Sequence, residues 1–112
     1  MSNPFEDLAG LDKLIHEPAR LAIMTALNAA DHAEFLFLQS LTGLTKGNLS
    51  AHLSKLEEAG WVLIDKHFEG KKPVTQVALT KTGRAAIAAH WQRLDQLRNQ
   101  AKDWTGGENT AG

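Results

Sequence analysis

The chain of 112 residues has no cysteine. Disulfides, thiolate metal ligands and a thiol nucleophile are therefore excluded, and a reducing compartment is compatible with the composition. There is no glycine-rich phosphate loop and no His-x-x-x-His pair. The histidines are dispersed, at His16, His32, His52, His67 and His90. His90 and Asp95 stand about 140° apart around a helix and cannot form one intrachain metal site. Neither an enzyme nor a metal or cofactor site is expected. No apolar run approaches the roughly 18 residues of a membrane span. The start, Met1-Ser2-Asn3-Pro4-Phe5-Glu6-Asp7, lacks the basic region and apolar run of a signal peptide. The expectation is a cytoplasmic protein with no membrane partner.

A large excess of one charge is also missing, since the formal net charge is -1. That argues against a uniformly basic wrapper of nucleic acid, but the charge is unevenly spread. Residues 1–44 carry six acidic and two basic side chains, whereas residues 45–84 carry seven basic and four acidic ones. With 43% hydrophobic residues the chain can build one modest core. A domain this small gains from burying further surface in a partner, so a dimer is plausible on size alone.

The basic stretch contains the most informative pattern. Thr45 is a suitable N-cap, Leu49, Leu53 and Leu56 recur on one side of a helix, and Gly60 marks its end. The opposite side is small and polar near its start, as a helix entering a major groove requires. Gly43 and Leu44 supply the turn before it, preceded by a helix from about Leu36 and a minimal strand at Glu34-Phe35, with a continuous buried strand over Glu34 to Leu38 as the alternative. Two strands are expected next, Trp61 to Phe68 and Val74 to Leu79, joined by Glu69-Gly70-Lys71-Lys72-Pro73. Pro73 is expected at an edge or turn.

The segment Leu44 to Gly60, followed by Phe68-Glu69-Gly70-Lys71-Lys72-Pro73 and Leu79-Thr80-Lys81-Thr82-Gly83-Arg84, resembles small prokaryotic winged-helix transcriptional regulators related to the MarR and ArsR groups. The upstream His16-Glu17-Pro18-Ala19-Arg20-Leu21-Ala22-Ile23-Met24 matches as well, and the resemblance covers roughly residues 8–98. It implies a mainly α (α+β) fold: a winged helix-turn-helix with a two- to three-stranded wing sheet and a long C-terminal dimerisation helix. It also implies a homodimer bound to double-stranded DNA at a pseudo-palindromic operator, acting as a repressor. On this reading Thr45, Lys46, Asn48, Ser50, Ser54 and Lys55 contact phosphates or base edges. Lys71 and Lys72 contact the backbone or a minor groove from the wing. His52 and Arg84 are further DNA-contact candidates, His52 competing with a packing role. His67 is a candidate pH-sensitive phosphate contact. The alternative is a winged-helix protein-interaction module that binds no DNA.

Residues 1–7 are expected to be a loose N-terminus, and 8–104 to form the domain. Leu8, Leu11, Leu14 and Ile15 mark a first helix. A second helix, from about Pro18 to Ala29, should place Leu21 and Met24 in the core, with Arg20 at the surface or in a capping role. The last helix, Lys81 to about Lys102, would be roughly 33 Å long, more than one small core needs. Its apolar stripe suggests packing between subunits, and the resemblance implies that the first helix joins it, so the expected dimer interface is Leu8, Leu11, Ile87, Trp91, Leu94, Leu97 and Trp104. The alternatives are a first helix folded onto its own domain and a Trp91 that closes the core while the distal half of the last helix frays. A small-molecule effector could sit in the dimer cleft beside Trp91 and Phe35. Residues 105–112 read as a disordered tail.

Overall fold

The computed structural model describes residues 3–104. Its elements run α1 Pro4–Ala9, α2 Pro18–Asn28, β1 Ala33–Glu34, α3 Phe35–Thr42, α4 Lys46–Glu58, β2 Val62–Glu69, β3 Lys72–Leu79 and α5 Lys81–Lys102. The strands form one antiparallel sheet in the order β1-β3-β2. This is a mixed winged helix-turn-helix with a long C-terminal helix, as expected.

The N-terminal expectation needs correction. The Asn3 side chain accepts from the backbone N–H groups of Phe5 and Glu6, both at 2.9 Å, and Glu6 reaches back to Asn3. This capping box, with Pro4 behind it, starts a helix inside the segment read as loose. Gly10 ends that helix, so Leu11, Leu14 and Ile15 fall in the loop before α2 rather than on a helix. The expected tail at 105–112 lies outside the described residues.

The core lies between α2, α3, α4, the sheet and the start of α5. Ile23, Met24 and Leu27 of α2 meet Leu38 of α3, Leu49, Leu53 and Leu56 of α4, Val62 and Val77 of the sheet, and Ile87 of α5. Each is at most 2% exposed, the packing that fixes one side of α4 inward and leaves the other free. Gly43 at φ 72° closes α3 in the left-handed region and turns the chain into α4. Thr45 caps α4 by accepting from the Asn48 N–H at 3.1 Å.

One junction joins α4, the wing and α5. The Thr80 N–H donates to the Trp61 carbonyl at 3.0 Å, and its hydroxyl donates to the Gly60 carbonyl at 2.6 Å while accepting from the Gly83 N–H. Gly83 lies so close to the Trp61 backbone that a Cβ there would overlap its carbonyl group. Glycine is needed at this point for backbone approach, which is a different reason from conformational freedom. α1 lies along the distal part of α5, where Asp7 Oδ2 meets Arg93 Nη2 at 3.2 Å. The radius of gyration is 17.7 Å, against about 13 Å for a compact chain of this length.

Candidate nucleic-acid interface

The exposed side of α4 divides into two rows. Asn48, Ala51, Lys55 and Glu58 point to solvent. Lys46, Ser50, Ser54 and Glu57 face the wing and line a groove of about 590 Å³, whose far wall is Ile64, Lys66 and Thr75 and whose base includes Phe35 and Leu53. Thr45, Lys46, Asn48, Ser50, Ser54 and Lys55 are all exposed on this one helix or its cap.

Strand register decides what the wing presents. β2 and β3 are paired from Val62 with Leu79 to Glu69 with Lys72, and the turn is Gly70-Lys71. Gly70, at φ 65°, takes the positive φ that a two-residue hairpin turn requires. Because successive side chains alternate, Ile64, Lys66 and Phe68 share the side facing α4 with Thr75 and Pro73. The other side carries Asp65, His67, Glu69 and Lys72. Lys71 is at the tip, but Lys72 stands across the strand pair from Glu69, on the side away from the groove. Lys66, which sequence reasoning passed over, is the wing lysine that faces α4. The alternation with Ile64 was the signal that could have found it. Pro73 lies within β3 rather than in the turn. It is tolerated there because β1 pairs only with Gln76 and Val77, leaving one side of β3 open at that point.

His67 sits between two carboxylates. Its Nδ1 lies 2.7 Å from Asp65 Oδ2 and its Nε2 lies 3.2 Å from Glu69 Oε2. The hydrogen bond to Glu69, then that to Asp65, raises its pKa above the ordinary 6.5. A protonated His67 would offset the two carboxylates beside it.

Two expected DNA contacts hydrogen-bond to other parts of the chain. Arg84 Nη1 donates to the Asn28 carbonyl at 3.1 Å and to its side-chain oxygen at 3.2 Å, and Nη2 donates to the Ala30 carbonyl at 3.4 Å. The guanidinium thus closes the C-terminus of α2, where freed carbonyls attract a cation. His52 is half-buried. Its Nδ1 accepts from Arg20 Nη1 at 3.1 Å and lies 3.8 Å from Glu17 Oε1. Arg20 itself is 9% exposed, which corrects the expectation of a surface or capping residue. Its Nε and Nη2 donate to the carbonyls of Leu14 and Lys13, tying the loop before α2 to α4.

The expected dimer residues separate into two groups. Ile87 and Leu97 are fully buried within the subunit, Ile87 in the core and Leu97 on the stretch of α5 that α1 accompanies. Both therefore lie inside the subunit, and α1 packs against α5 of its own chain, the alternative left open for the first helix. Leu8, Leu11 and Leu94 are half-buried, and Trp91 and Trp104 are each 46% exposed. Trp91 donates through Nε1 to Thr25 Oγ1 at 3.0 Å. Phe35 sits at the base of the α4–wing groove and Trp91 sits against α2. Among the described residues no cluster of three or more His, Cys, Asp or Glu side chains could hold a metal, and no helix is long and apolar enough to cross a membrane.

A helix-turn-helix followed by a two-stranded wing, with a polar helix face opening onto a lysine-bearing groove, defines the winged-helix class of DNA-binding domains. Residues 19–98 match the family model described as a winged helix DNA-binding domain, and the chain belongs to that family. It is 33% identical over 85 residues to an uncharacterized protein of Methanocaldococcus jannaschii, covering 76% of this chain and 92% of that protein. Its fold matches the transcriptional regulator homologue protein from Pyrococcus horikoshii OT3 with a TM-score of 0.79 at 27% identity, covering 90% of this chain and 98% of that one. It also matches the Multiple Antibiotic Resistance Repressor MarR with a TM-score of 0.67 at 24% identity, over 92% of this chain and 73% of that one. That last likeness concerns the fold alone.

Proposed function

We propose that this protein is a cytoplasmic, homodimeric transcriptional repressor that binds a pseudo-palindromic operator in double-stranded DNA. The observation that carries this reading is the groove between α4 and the wing, where Lys46, Ser50, Ser54, Lys66 and Thr75 converge beside an exposed polar helix face. Lysines on both walls suit a phosphate backbone, while Asn48 and Lys55 on the outer row suit base edges. Exposed Trp91 and Trp104 on the long C-terminal arm support a second copy as partner. In a dimer, the two α4 helices would enter successive major grooves about 34 Å apart.

The test is fluorescence anisotropy of the purified protein with DNA from upstream of its own gene, beside a scrambled duplex, at two salt concentrations. Preferential binding that weakens with salt is the expected result. A second reading, a protein-interaction module, draws on the exposed apolar strip of α3, where Leu36, Phe37 and Leu41 are 65%, 59% and 58% exposed. Absence of binding to either duplex at low salt would favour it.

A further inference from the structure

We propose that Phe68, with Pro73 beside it, is an apolar wedge that the wing inserts into the DNA minor groove next to the major groove occupied by α4. This rests on the DNA-binding reading above. Phe68 is 71% exposed, the most of any large hydrophobic side chain among the described residues. Left in water, its ring does little for the subunit's own core.

The position of the ring is specific. Phe68 lies directly across the hairpin from Pro73, and the next pair towards the body on the same side is Lys66 with Thr75, which line the groove facing α4. The side of the wing turned towards the duplex therefore runs from half-buried Ile64, through a lysine and a threonine, to an apolar tip. On the reverse side Glu69 stands across from Lys72, and His67 across from Val74, which is buried. The exposed apolar pair of the tip is thus on the side shared with the groove. β1 pairs no further out than Gln76, which is opposite Asp65, so the hairpin from Lys66 to Glu69 projects by itself. Four residues at strand rise give a reach of about 13 Å. Lys71 at the turn can hold a phosphate while the ring enters the groove, where apolar side chains wedge between base steps and open them.

A wedge differs from a lysine in a measurable way. Phosphate neutralisation releases counterions and sets the slope of affinity against salt, whereas apolar contact releases none. The experiment uses the full chain as wild type, Phe68→Ala, Phe68→Leu and Lys71→Ala, with the duplex from upstream of its own gene carrying 2-aminopurine at successive base steps. Phe68→Ala is expected to weaken binding about ten-fold, leave the salt slope unchanged and abolish the 2-aminopurine fluorescence rise. Phe68→Leu keeps most of the affinity, and Lys71→Ala flattens the salt slope while retaining the rise. The proposal is overturned if Phe68→Ala binds like wild type with the same fluorescence rise, or if its only effect is on the salt slope. Failure of the wild type to bind any duplex would instead overturn the DNA-binding reading itself, and the wedge with it.

Discussion

In the winged body, buried side chains from α2, α3, α4, the sheet and the first turns of α5 meet in one apolar cluster. Beyond Ile87 the same α5 buries only His90 and Leu97, and its ties are largely polar: His16 Nδ1 to His90 Nε2 at 3.0 Å, Trp91 to Thr25, and Arg93 to Asp7. The body is fixed by volume, so any intrusion is costly. The arm is fixed by a few directed contacts and a small apolar contribution from Leu97, half-buried Leu94 and α1, which leaves its exposed tryptophans available to a partner.

The sharpest way to break this contrast is at two glycines near helix starts. In Gly83→Ala the new methyl would overlap the Trp61 backbone, which cannot step aside without opening the junction of α4, wing and α5. A loss of at least about 3 kcal/mol is expected in urea unfolding. Gly47→Ala, with nothing within 4 Å of the new Cβ, should change stability by less than about 1 kcal/mol, in the stabilising direction. It should still weaken DNA binding, because it adds bulk at the start of the recognition helix. Similar stability losses at the two sites would contradict the tight packing assigned to Gly83.

Next in size is the arm itself. Leu97→Ala should cost about 2–5 kcal/mol of subunit stability while leaving the dimer dissociation constant close to that of the wild type. Trp104→Ala should do the reverse. If sedimentation equilibrium shows that Leu97→Ala splits the dimer at unchanged subunit stability, α1 does not cover that leucine in solution, and the interface expected from the helical stripe is restored.

These two regions were not equally legible in the sequence. The helix-turn-helix could be read from Thr45, Leu49, Leu53, Leu56 and Gly60, because capping and core spacing act within one helix and need no knowledge of its neighbours. The roles of Arg20, His52 and Arg84 could not. Each is set by carbonyls or side chains distant in sequence, such as Leu14 for Arg20 and Asn28 for Arg84. The stripe on α5 was visible, but whether a partner or α1 covers it depends on the capping box at Asn3, which places α1 earlier than its leucines suggest. In the wing, the lysines were visible and their sides were not, since one residue of register exchanges Lys66 for Lys72 as the lysine beside the groove. Lys66→Ala should therefore flatten the plot of log affinity against log salt by about 0.9. Lys72→Ala should change it less, and equal slopes would show that the wing's two sides are not distinguished by DNA.

The smallest expected effect is on pH, and it separates body from arm by sign. His90 is buried against the 13–16 loop, and its pKa is lowered first by that burial and then by His16, with Asp12 opposing. Above its ordinary value of 6.5 both folded and unfolded chains hold it neutral. As pH falls through 6.5 the unfolded chain takes up the proton first, so stability falls until the lowered folded value is passed. On the wing, His67 behaves oppositely. Its raised pKa contributes stability that is fully present below 6.5 and is lost as pH rises through the raised value. Acidification should thus loosen the arm and tighten the wing. Urea midpoints at pH 7.5 and 5.5 should show a shallower acid loss in His90→Gln and a steeper one in His67→Gln than in the wild type. The carboxylates Asp65 and Glu69 should meanwhile make DNA binding by His67→Gln weaker at the lower pH relative to the wild type, because the charge that offsets them is gone. If both variants shift the midpoint the same way, the two histidines are not titrating in opposite environments, and the polar tie between α5 and the 13–16 loop has no part in the acid response.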